Sequence, residues 1–126
     1  MFRNKSVEKY LLAIFALRKQ RGYARCIDIA KYMDVTRASV STATKQLQAD
    51  KYVDIDDCRF IKLTPSGEEI AQRVYRKFAF FTSVLSSSGV DAEKAEKEAC
   101  ELALDLCDES FEKLKLRWMS RTGEQT

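Results

Sequence analysis

The sequence predicts a mostly α-helical chain with one two-stranded hairpin set into it, on three observations. Apolar residues recur at three- and four-residue spacing through most of the 126 residues. Residues 52–63 instead alternate every second position on either side of an Asp-Asp-Cys turn. Residues able to cap helices stand at the head of nearly every periodic run.

Ser6 is placed to cap the first helix, where Val7, Tyr10, Leu11, Ile14 and Leu17 recur up to about Arg21, with Gly22 as the stop. A short second helix is entered from Arg25 and Cys26 and carries Ile27, Ala30 and Met33. After a turn at Asp34 and Val35, Thr36 can cap a third helix with a buried stripe of Val40, either Ala43 or Thr44, and Leu47. Residues 52–55 and 59–63 read as two strands around Asp56, Asp57 and Cys58. Thr64 caps the next helix, with Pro65 at the first helical position, where a missing amide does no harm. That helix continues through Val74, Phe78, Phe81 and Leu85 to the small residues 86–89. Asp91 caps a helix carrying Ala95, Ala99, Leu102 and Leu106, and Asp108 caps a last one with Phe111, Leu114 and Trp118.

Two helices joined by a tight turn, preceded by one helix and followed by a hairpin and another helix, make a winged helix-turn-helix with a two-stranded wing. We assign it residues 1–72, and give residues 73–126 to an all-helical domain. Phe78, Phe80, Phe81, Val84 and Leu85 cover more of their helix than one narrow seam. Part of that surface is expected to pair with a second copy, which makes the second domain a dimerisation domain.

Composition narrows the function. At 45% hydrophobic and 33% charged, with four Gly and one Pro, the chain is ordinary for an ordered globular protein. No apolar run approaches the roughly 18 residues of a membrane span. Residues 1–5 are charged without a signal-type core after them, so a cytoplasmic location is expected. The four cysteines (Cys26, Cys58, Cys100, Cys107) form no CxxC pair, against a zinc ribbon or a thioredoxin-type motif. Residues 1–76 hold 15 Lys and Arg against 9 Asp and Glu, whereas residues 77–126 hold 7 against 10. A basic front half suits phosphate contact. An enzyme is not expected: there is no histidine, no phosphate-cradling glycine loop and no cysteine with a nearby base.

The outward face of the third helix presents Arg37, Ser41, Thr42 and Lys45, with Ala38 small enough for close approach. Double-stranded DNA is therefore the expected partner. Arg25, Thr36, Arg37, Ser39, Lys45 and Arg59 are assigned to phosphates, and Ala38, Ser41 and Thr42 to base edges. The competing reading is a winged-helix module that docks another protein instead of DNA.

Several motifs in order resemble one family over nearly the whole chain, from Ser6 to Leu116. They are Ser6-Val7-Glu8-Lys9-Tyr10-Leu11, Ile27-Asp28-Ile29-Ala30, Thr36-Arg37-Ala38-Ser39-Val40-Ser41, Leu63-Thr64-Pro65-Ser66-Gly67, Gly89-Val90-Asp91, and Ala99-Cys100 running into Asp108-Glu109-Ser110-Phe111-Glu112-Lys113. This sequence resembles the diphtheria-toxin-repressor and manganese-transport-regulator family of iron-dependent repressors. The resemblance implies a homodimeric transcriptional regulator, a repressor, on palindromic operator DNA, in the short form without a third domain.

It also implies an iron(II) or manganese(II) site between the first helix and the dimerisation helices, and here the sequence departs from the pattern. The family's ligand positions fall on Lys9, Leu12, Phe78, Cys100, Ala103 and Leu104. Only Cys100 keeps a donor, and one sulfur is not a site for these ions. We expect no metal cofactor at these positions, with apolar packing in its place. Two other readings stay open. Cys100, Glu101, Asp105, Cys107 and Asp108 could recruit a softer ion, with Cys100 and Cys107 two turns apart on one helical face. Lys9 and Lys77 could meet an acidic effector or simply be solvated.

Overall fold

Asn4, not Ser6, caps the first helix: its Oδ1 accepts the Val7 amide at 3.1 Å. The capping position lies two residues earlier than the sequence suggests, and Ser6 stands inside the first turn. The computed structural model describes residues 4–122; residues 1–3 and 123–126, the outer ends of the two expected domains, lie outside them. In chain order the elements are α1 (Lys5–Arg21), α2 (Cys26–Met33), α3 (Arg37–Ala49), β1 (Val53–Ile55), β2 (Ile61–Leu63), α4 (Pro65–Ser87), α5 (Ala92–Asp105) and α6 (Asp108–Thr122). This is a mostly α fold with the winged helix-turn-helix order and a helical second part. The chain divides into two compact units, Met1–Tyr75 and Arg76–Thr126.

In the first unit Gly22 ends α1 in the left-handed region, at φ 86°, and its amide closes on the Arg18 carbonyl at 2.8 Å. The core joins Leu11, Ile14 and Leu17 of α1 to Ile29 of α2, Val40 and Leu47 of α3, and Val53 and Ile61 of the strands. Burying each such side chain contributes about 1.5–3 kcal/mol, so this one cluster fixes the relation of the three helices and the wing. Ile27 is not part of it. It is 40% exposed, because the inward stripe of α2 is Cys26, Ile29, Ala30 and Met33. Asp34 makes the helix-turn-helix corner at φ 56°, while the Val35 amide reaches back to the Ala30 carbonyl at 3.0 Å.

The wing strands are antiparallel, with Val53 opposite Leu63, Asp54 opposite Lys62 and Ile55 opposite Ile61. The second strand is shorter than the alternation predicts: Arg59 has φ 69° and lies in the loop. The reason is local. Asp56 Oδ1 accepts the amides of both Cys58 and Phe60 at 2.9 Å, which curls residues 56–60 into a loop before the strand can begin. Thr64 caps α4 as the sequence predicts, accepting the Gly67 amide at 3.2 Å and donating to the Lys51 carbonyl at 2.7 Å.

In the second unit Asp91 caps α5 through the Lys94 amide, 3.2 Å away. The inward residues of α5 are Ala95, Ala99, Ala103 and Leu104; Leu102 is 41% exposed and Leu106 lies past the last turn. A row of alanines permits close packing, so the small residues take the stripe that periodicity gave to the leucines. Cys107 leads into α6, its carbonyl accepting the Phe111 amide at 3.0 Å, and Asp108 is the first helical residue. Phe80 and Phe81 of α4 meet Phe111 of α6 with ring centroids 5.5 and 6.1 Å apart. Their rings are thus engaged within the unit, and the large apolar side chains it exposes are Leu102, Leu114, Leu116 and Trp118. No helix among the described residues is long and apolar enough to cross a membrane.

Candidate nucleic-acid interface

The two faces of α3 differ sharply in chemistry. Val40, Thr44 and Leu47 are at most 3% exposed and pack into the first unit. Thr44 rather than Ala43 completes that stripe, since its hydroxyl can donate to the Val40 carbonyl at 2.9 Å and so enter the core without an unpaired proton. The Cys26 sulfur lies 3.9 Å from the same hydroxyl, tying α2 to α3. On the opposite side Arg37, Ala38, Ser39, Thr42 and Lys45 are exposed, and Ser41 is half-buried.

The cap of α3 determines what its first turn can offer. Thr36 Oγ1 accepts the Ser39 amide at 3.1 Å and donates to Ser39 Oγ at 2.9 Å. Both capacities of the Thr36 hydroxyl are therefore engaged within the helix, and the proton still available is that of Ser39. A hydroxyl that accepts one hydrogen bond is polarised toward donating another, which suits an anionic oxygen.

Arg59 stands exposed in the wing loop, on the same unit as α3. Arg25 is exposed just before α2, where its amide bonds Asp28 Oδ2 at 3.0 Å. Its guanidinium carbon lies 4.3 Å from the centre of the Phe60 ring. That contact is not legible in the sequence, because the partners are far apart along the chain. Lys62 adds a further cation on the wing, 3.9 Å from Asp56.

The positions to which the resemblance assigns the family's metal ligands lie in both units. In the first, Lys9 is exposed and Leu12 is buried. In the second, Phe78, Ala103 and Leu104 are buried and Cys100 is half-buried. An ammonium, two aliphatic chains, a phenyl ring and a methyl group do not fit manganese(II) or iron(II), and Cys100 alone does not complete a coordination sphere. Cys107 does not share a helical face with Cys100, because α5 ends at Asp105. Among the described residues, no three His, Cys, Asp or Glu side chains gather closely enough to hold a metal ion. Lys77 is not solvated: it is 1% exposed and bonds the Leu106 carbonyl and Asp108.

Comparison with known proteins agrees with the architecture. The profile of the "Iron dependent repressor, N-terminal DNA binding domain" matches residues 4–59, and that of the "Iron dependent repressor, metal binding and dimerisation domain" matches residues 64–119. The HTH-type transcriptional regulator MntR of Listeria welshimeri is 36% identical over 87 residues, 69% of this chain and 61% of that protein. The MntR of Bacillus pumilus is 35% identical over 89 residues, 71% of this chain and 62% of its own length. The match thus spans about three fifths of these curated relatives. Among solved structures, IdeR of T. acidophilum superposes with a TM-score of 0.77 at 28% identity, covering 97% of this chain and 56% of that one. The manganese regulator SloR gives 0.72 at 27% identity, over 94% of this chain and 54% of its own. Two profiles of one family, covering consecutive parts of the sequence on a fold shared with its solved members, show that the chain belongs to the iron-dependent repressor family.

Proposed function

We propose that the chain is a DNA-binding transcriptional repressor that acts as a homodimer on palindromic operator sites without the family's manganese or iron(II) response. The observation that carries the DNA reading is the division of α3. Its inward face is buried, with Val40 and Leu47 beside a Thr44 whose hydroxyl is bonded within the helix, and its outward face is short, polar and cationic, as a helix lying in a major groove requires. Arg25, Arg37, Ser39, Lys45 and Arg59 supply phosphate contacts, Thr36 holds Ser39 in place, and Ala38, Ser41 and Thr42 meet base edges. The exposed apolar residues of α5 and α6 are the surface a second copy would cover.

Loss of the metal response rests on the donor chemistry at positions 9, 12, 78, 103 and 104. A protein-docking role for the first unit has one observation in its favour, the exposure of Tyr23, Ile27, Tyr32 and Val35. The outward face of α3, however, carries no large apolar side chain. Selection of genomic DNA fragments on purified protein, in chelator and in manganese, tests the whole reading. Enrichment of the same palindromic sites in both arms is expected. No enrichment in either arm would remove DNA binding, and enrichment only with manganese would restore the metal response.

A further inference from the structure

The wing and the segment before α2 are joined by more than packing. The Ile61 amide donates to the Ala24 carbonyl at 2.8 Å, so the second wing strand is bonded to the residue preceding Arg25. Phe60, next to Ile61, has its own amide fixed by Asp56 at 2.9 Å. Its ring lies under the Arg25 guanidinium, 4.3 Å from ring centre to guanidinium carbon. The Tyr23 ring meets Phe60 edge-on, at 5.8 Å and 74°. Arg25 has no carboxylate partner for its guanidinium among the described residues, while its amide is tied to Asp28.

We infer that Phe60, backed by Tyr23, is a positioning residue that holds Arg25 ready for a DNA phosphate. The inference rests on the DNA-binding reading. A guanidinium held over a ring keeps all five N–H donors unengaged, whereas a carboxylate partner would occupy two of them and cancel the charge. The ring restrains a long, rotamer-rich side chain before binding, so less freedom is lost when a phosphate oxygen arrives. Arg59 follows the same wing loop, one residue before Phe60. The wing loop therefore carries one cation of its own, Arg59, and holds a second that belongs to the helix-turn-helix, and the two address the backbone as a unit.

A double-mutant cycle on operator affinity tests this, with a DNA fragment selected by the wild-type protein as the probe. Phe60→Leu is expected to weaken binding about two- to fivefold, the range of an exposed cation–π contact. Arg25→Ala is expected to weaken it more and to flatten the log-log salt slope by about one unit. In the Arg25→Ala background, Phe60→Leu should then change nothing, and Phe60→Tyr should behave as wild type. Tyr23→Leu, at a 43% exposed position, supplies a second variant with the same expected dependence on Arg25. If the losses from Phe60→Leu and Arg25→Ala multiply, or Phe60→Leu has no effect, Phe60 does not act through Arg25 and the inference is overturned while DNA binding stands. Failure of the wild-type protein to retain any fragment would instead overturn the DNA reading itself.

Discussion

Lys77 Nζ lies 2.9 Å from Asp108 Oδ1 with the lysine side chain 2% exposed, so a buried ammonium of α4 holds the first residue of α6. The Leu106 carbonyl accepts a second bond from it at 2.8 Å, and the lysine thereby closes the turn between α5 and α6 from within the unit. The two partners are not equivalent. Removing the lysine removes a buried charge together with its bonds, whereas removing the aspartate leaves that charge in the interior with one carbonyl. Lys77→Met should therefore cost little, about 1 kcal/mol. Asp108→Ala should cost more, about 2–3 kcal/mol, held below the fully buried range because Asp108 is 54% exposed. Urea midpoints at one fixed protein concentration would show this order, and equal losses would contradict it.

Gly67 and Gly22 should respond to alanine for different reasons and by different amounts. A Cβ at Gly67 would run into the Tyr52 carbonyl oxygen and stand 3.0 Å from its carbon. Backbone atoms cannot rotate away, and Tyr52 is held there by the Thr64 amide at 3.0 Å. Gly67→Ala is expected to destabilise by about 2–3 kcal/mol and to loosen the start of α4 from the wing. At Gly22 the space is open, and only the left-handed φ of 86° resists a side chain. Gly22→Ala should cost about 1 kcal/mol. Thermal unfolding of the two variants side by side separates clash from conformation.

Cys107 should be a reactive thiol. It is exposed at the head of α6, and Ser110 Oγ lies 3.3 Å from its sulfur. The Ser110 side chain, then the Ser110 amide, hold its pKa below the usual thiol value against a smaller contribution from desolvation. Because the folded-state pKa is the lower one, the thiolate adds stability above the unfolded-state pKa, and that stability fades as pH falls through the folded value. Ser110→Ala should move the alkylation profile of Cys107 to higher pH and leave that of Cys58 where it was. An unmoved Cys107 profile, read by peptide mass spectrometry of iodoacetamide-treated protein, would count against the assignment.

What could be read from the sequence follows the range of the interactions. Thr36, Thr64, Asp91 and Gly22 were legible as helix ends because a cap is decided within three or four residues. The core of the first unit was legible wherever the stripe was made of large residues. Ile27 and Leu102 misled because short or alanine-rich helices leave the phase of the stripe underdetermined, and the small residues took the inward side. Burial of Lys77 depends on groups 29 and 31 residues further along the chain, and no local pattern announces it. In the candidate interface the exposed face of α3 followed from periodicity alone. The Phe60 ring under Arg25 did not, since only the folded wing brings the two together.

The outward face of α3 supports a last prediction that separates charge from hydrogen bonding. Lys45 is exposed one turn after Ser41, and neutralising it as Lys45→Gln keeps the helix propensity while removing one cation. Each phosphate neutralised by the protein releases counterions, so losing one contact should flatten the log-log salt slope of operator binding by about one unit. Ser39→Ala removes a donor and no charge, so it should weaken binding at every salt concentration and leave the slope unchanged. The Ser39 amide would still reach Thr36, which keeps the helix cap and limits the change to the surface. Anisotropy titrations at four or more salt concentrations would distinguish the two variants. If Lys45→Gln leaves the slope as it was, Lys45 does not touch a phosphate, and α3 lies in the groove at a different angle from the one its exposed face indicates.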